Sequence, residues 1–104
     1  MQKFILHYYM TTPPASQAEG AALQQKWQEW MQIHAANLIE PQNPFSDKKR
    51  VSKSGTSDAD GAPMGYSILQ AETLEAAINI VQSCPFMDMG HMDVCQIMDM
   101  QAQN

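Results

Sequence analysis

GYSILQAETLEAAINIVQSCPF at residues 65–86 leads through a short link into MDVCQIMDM at 92–100, and the two stretches spell strand, amphipathic helix, strand. Tyr66 to Ala71 has the composition of a strand. Thr73 offers the hydroxyl that a helix start needs, and Glu75 sits where the positive end of a helix favours a carboxylate. Leu74, Ala77, Ile78 and Val81 fall on one helical face. Cys84-Pro85 closes that helix, because the residue before a proline disfavours helical geometry. Met92 to Met98 is the strand that follows.

Working towards the N-terminus, the same pattern recurs. Lys3 to Tyr9 reads as a first strand, stopped by Thr-Thr-Pro-Pro at 11–14. Ser16 and Glu19 have capping-box spacing, in which hydroxyl and carboxylate satisfy backbone donors reciprocally. Leu23, Trp27, Trp30, Met31, His34 and Leu38 lay one apolar stripe along the helix they start. Glu40-Pro41-Gln42-Asn43-Pro44 is expected to end the helical region as a loop, and Lys49 to Lys53 to form a short second strand. SGTSDADGAP at 54–63, rich in small and turn-forming residues, reads as a mobile flap, and Gln-Ala-Gln-Asn at the end as a loose tail.

The order strand, helix, strand, strand, helix, strand is that of an α+β, ferredoxin-like βαββαβ fold. Right-handed crossovers place both helices on one face of a four-stranded antiparallel sheet and leave the other face bare. A chain of 104 residues has little surface to spare, so a homodimer with two sheets packed face to face is expected. Residues 1–104 read as a single domain.

Composition narrows the partners. An apolar fraction of 44% with 16% charged residues is that of a folded chain, and no stretch has the length of a membrane span. Phe4-Ile5-Leu6 is too short for a secretory leader, so the expected location is cytoplasmic, with Cys84 and Cys95 reduced. A net charge of −5 opposes nucleic-acid phosphates. Lys48, Lys49, Arg50 and Lys53 hold four of the six cations, but without an aromatic platform they read as the lysines of an exposed edge strand.

KFILHYY at 3–9, WQEWMQIHAANLIEPQNPF at 27–45, the 65–86 stretch and the final MDVCQIM resemble the YCII-related, or DGPF-domain, family of the dimeric α/β-barrel superfamily. The resemblance spans nearly the whole chain and implies a ferredoxin-like protomer, a dimer and a cleft beside the sheet that takes a small organic molecule. Members proposed as enzymes use a histidine near the start of the first helix and an aspartate beside the proline that ends the second. Those places fall at Gln25 and Cys84 here. The family's Asp-Gly-Pro-Phe is altered as well, since Asp60-Gly61 is followed by Ala62-Pro63.

Strand alternation puts His7 with Lys3, Ile5 and Tyr9 on one face and Phe4, Leu6 and Tyr8 on the other. A half-buried histidine on a central strand suits general acid or base work, with Asp93 on the neighbouring last strand to orient it. The structural alternative is a histidine hydrogen-bonded within a dimer interface. Tyr9, Tyr66 and His34 are the expected pocket wall, with His34 reached from between helix and sheet; against that stands core or rim filling, the weightier reading of each. The function expected is small-molecule binding, with an isomerase-like or lyase-like acid–base enzyme as its specific form. The rival is a non-catalytic dimeric ligand-sensing or structural module.

Five of the nine methionines, with His91 and Cys95, lie between residues 87 and 100. Soft ligands of this kind suit Cu(I), yet alternation sends Met92, Met98 and Met100 to the face opposite Cys95, so no metal site is expected. No cofactor motif is present: Gly-rich phosphate loop, Cys-x-x-Cys, His-Glu-x-x-His and Gly-x-Ser-x-Gly are all missing. Cys84 closes a helix at its C-terminus, the end that disfavours a thiolate nucleophile.

Overall fold

The computed structural model describes residues 1–100; the tail expected to be loose lies outside them. In chain order the elements are β1 (Gln2–Met10), α1 (Gln17–Ile33), β2 (Leu38–Pro44), β3 (Lys49–Ser52), β4 (Gly55–Asp58), β5 (Gly65–Ala71), α2 (Leu74–Gln82), a 3₁₀ turn (Pro85–Asp88) and β6 (Gly90–Gln96). The main sheet is antiparallel in the order β2-β5-β1-β6, so β1 is central. This is the α+β, ferredoxin-like arrangement.

Both helices lie on one face because the apolar side of β1 meets both. Phe4 and Leu6, with Leu69 and Ala71 of β5, pack against Ala77 and Val81 of α2. Tyr8 packs with Trp27 and Trp30 of α1 and with Cys84 and Phe86. The Glu19 amide donates to Ser16 Oγ at 3.2 Å, as the capping box predicts, and the Glu19 carboxylate accepts from the Ala15 amide at 2.7 Å. At α2, Thr73 Oγ1 accepts from the Ala76 amide at 3.1 Å. The indole of Trp30 ties the helices together, donating to the Ile80 carbonyl at 3.1 Å and to Ser83 Oγ at 3.0 Å.

The expected second strand is the main correction. Lys49–Ser52 does not join the main sheet; it pairs only with Gly55–Asp58, turning much of the expected flap into a two-stranded hairpin. The sheet's strand is instead Leu38–Pro44, the stretch expected to be a loop. An edge strand accommodates proline, and the register shifts between Leu38, Glu40 and Asn43 are the irregularities that let Pro41 and Pro44 fit. Leu38 therefore belongs to β2, and α1 ends at Ile33 with His34 as its C-cap. The last strand begins two residues earlier than expected, with Gly90 opposite Met10.

Candidate functional site

A cleft of about 260 Å³ opens on the helix-covered side of the sheet, under the first half of α1. Gly20, Leu23, Gln24 and Trp27 form one wall, Tyr8 and Met10 the floor, Gln42, Asn43, Pro44, Met64 and Gly65 the opposite wall, and Pro85, Phe86 and Met89 the end. Aromatic edges define its base: Tyr8 lies 5.6 Å from Trp27 and edge-on to Phe86 at 5.0 Å, measured between ring centroids. Among the described residues no Asp, Glu, Lys, Arg or His lines it. Two of its wall residues carry buried nitrogens without a hydrogen-bond partner among the described residues, Trp27 Nε1 and Asn43 Nδ2. Buried polar groups are normally paired, so both are exceptional.

The titratable groups beneath the cleft are held neutral. Ser67 Oγ donates to the Pro41 carbonyl at 2.6 Å, which leaves the Tyr8 hydroxyl to donate to Ser67 Oγ at 2.5 Å. Burial pushes the Tyr8 phenol well above its ordinary value, more than the Ser67 bond lowers it. Burial likewise pushes the Cys84 thiol up from 9.0 to about 12. Because its folded pKa is raised, Cys84 contributes stability that is fully present below pH 9 and is lost as pH climbs towards about 12. The expected result is an alkaline unfolding limb over that window, displaced upward in Cys84→Ala and followed by circular dichroism. At pH 8 a disulfide-exchange reagent should titrate one thiol, that of exposed Cys95, and the second only on unfolding.

The residues singled out in the sequence gather mostly on the other face. His7 lies directly across from Asp93 of β6 and from Tyr66 of β5. Tyr9 stacks on His91 at 5.0 Å with ring planes 12° apart. Burial first, and the Asp93 carboxylate after it, raise the Tyr9 phenol. Tyr66 donates to Glu40 Oε1 at 3.5 Å and touches the cleft rim, so of the five it alone belongs to both faces. His34 stands apart at the end of α1, its ring 5.4 Å from Trp30 and Nε2 3.4 Å from Ser83 Oγ. Tyr9, Tyr66 and His34 thus do not converge on one cavity. Of the two places that the resemblance pointed to, Gln25 is exposed and Cys84 is buried behind the cleft beside Phe86 and Tyr8. Met89 and Met92 pack against the core while His91 and Cys95 are exposed, and no group of three metal-binding His, Cys, Asp or Glu side chains exists among the described residues.

Of the cleft residues, Trp27 reads in the sequence as core filling, whereas Tyr66 is an expected wall residue and Tyr8 a tyrosine able to place its hydroxyl at a cavity lip, though core filling is the weightier reading of both. Fold and site together define an α+β, ferredoxin-like protein with an uncharged apolar cleft of small-molecule size. Among solved structures the chain is similar to 5-chloro-2-hydroxyhydroquinone dehydrochlorinase from Burkholderia phenoliruptrix AC1100, in complex with 2,5-dihydroxybenzoquinone. The TM-score is 0.58 at 15% identity, covering 96% of this chain and 97% of that one, a likeness of fold. No protein-family model and no curated protein matches the sequence. Among the described residues no helix is long and apolar enough to cross a membrane.

Proposed function

We propose that this chain binds a compact, uncharged, ring-bearing organic molecule in the cleft under α1, as a YCII-related dimeric α/β barrel of the cytoplasm. The supporting observation is the lining: mostly apolar and aromatic side chains, with no Asp, Glu, Lys, Arg or His among the described residues to balance a charge. The volume of about 260 Å³ exceeds the roughly 150 Å³ apolar cavity known to take benzene, so one substituted ring fits. An acceptor oxygen on the guest gives Trp27 Nε1 or Asn43 Nδ2 the partner it lacks, once the side chain turns outward. Burial holds Tyr8 and Cys84 protonated, so neither serves as a base at neutral pH. This favours a ligand-sensing module over an acid–base enzyme.

The cross-strand juxtaposition of His7 with Asp93 and Tyr66 favours the second reading, an isomerase-like or lyase-like acid–base site on the bare face. It requires a second copy to exclude water there, which a homodimer packed sheet to sheet provides. One experiment separates the readings, with binding of 1-naphthol followed by fluorescence. A Cβ at Gly20 meets nothing within 4 Å, so Gly20→Leu adds bulk to the cleft wall with no clash at its Cβ. It should weaken naphthol binding at least about tenfold while raising stability by up to about 1 kcal/mol, as expected for removing a helical glycine. His7→Gln should leave binding unchanged. Loss of binding in His7→Gln with retention in Gly20→Leu would move the site to the bare face.

A further inference from the structure

The hairpin of β3 and β4 is an arm without a body to lie on. All eight of its strand residues are exposed, Val51 at 76%, and each strand pairs only with the other. The chain spans 50 × 39 × 18 Å with a radius of gyration of 15.5 Å, against about 13 Å for a compact chain of this length. A lone two-stranded hairpin is marginal in water. Its charge is as unusual as its exposure. The hairpin, residues 49–58, carries Lys49, Arg50 and Lys53 against the single carboxylate of Asp58, so it is +2 and the remainder of a chain of net −5 is −7. Among the described residues its side-chain tethers lie at its root: Lys49 Nζ to Asp58 Oδ1 at 2.8 Å, Arg50 to the Asp60 carbonyl at 2.9 Å and Lys48 to the Pro63 carbonyl at 3.3 Å.

We propose that this basic arm grips the acidic body of a second copy of the chain, resting on the reading that the protein is a homodimer. Charge complementarity selects that occupant: a positive hairpin from each copy meets the net negative remainder of the other, and a two-fold pair makes the contact twice. The arm leaves the sheet from the end of β2 and returns at the start of β5, so it extends from one end of the sheet.

Sedimentation of the intact chain at micromolar concentration tests this. The expected result is a wild-type dimer that weakens as salt rises. In K49E/R50E/K53E its dissociation constant should rise at least about tenfold and lose that salt dependence, with circular dichroism unchanged. A second variant replaces residues 49–58 by Asn-Gly, and should dissociate equally if the charge-reversed chain misfolds. A wild-type dimer that neither variant weakens overturns the arm and leaves the dimer standing. A wild-type monomer throughout overturns both, and so does a tip that binds a short DNA duplex while the chain remains monomeric.

Discussion

Trp30→Ala should lower the unfolding free energy by about 3–5 kcal/mol, the range for emptying a large aromatic site. In a chain of this size that is a fall in melting temperature of roughly 12–40 °C. Trp30 is 3% exposed and holds α1 to the end of α2 through both its ring and its indole N–H, so the change opens a cavity and unties the helices together. Trp30→Phe separates the contributions. It keeps most of the burial, and the Ile80 carbonyl stays satisfied because Ser83 Oγ still donates to it at 2.8 Å. The expected cost of the phenylalanine variant is about 1–2 kcal/mol. Urea titration of the three proteins checks this, and equal losses in both variants would show that the N–H, not the ring's volume, carries the effect.

Gly90→Ala is expected to be as damaging for the smallest possible addition. A Cβ there would collide with the Tyr9 carbonyl oxygen and crowd the Met10 Cα at 3.1 Å. Both obstacles are backbone of the central strand, so neither swings aside as a side chain would. Relief requires the start of β6 to lift from β1, which disturbs the Met89 carbonyl that accepts from the amides of Thr11 and Thr12 at 2.8 and 2.9 Å. A loss of about 2–4 kcal/mol follows, within the range of steric faults in a core. Amide hydrogen exchange should show the loss concentrated in β6 and the first residues after β1. Uniformly faster exchange across α1 and β2 would instead mean that the fault is not local.

The part of the chain from Tyr66 onward was legible because each local signal agreed with the tertiary one: Thr73 caps, the Ala77 and Val81 face packs, and Pro85 stops the helix. β2 was illegible for a physical reason. Pro41 and Pro44 argue against a strand unless it is known to be an edge, and edge position is fixed by strand order, which no local window contains. Alternation also sufficed to set His7 beside Asp93 once β1 was taken as central. The cleft escaped because a cavity is a failure of packing. Trp27 and Tyr8 have core periodicity, and it is the small Gly20 among the lining residues, together with the irregular β2, that leaves space between them.

The irregular, proline-bearing β2 has one more consequence. A regular rim of unpaired amides and carbonyls invites strand after strand from other molecules, the route to open-ended fibres. Here two residues on that rim have no amide hydrogen to offer, and the broken register offsets the rest. Growth along that border is thereby blocked, and whatever association the protein undergoes is steered away from endless ribbons towards closed assemblies of fixed size.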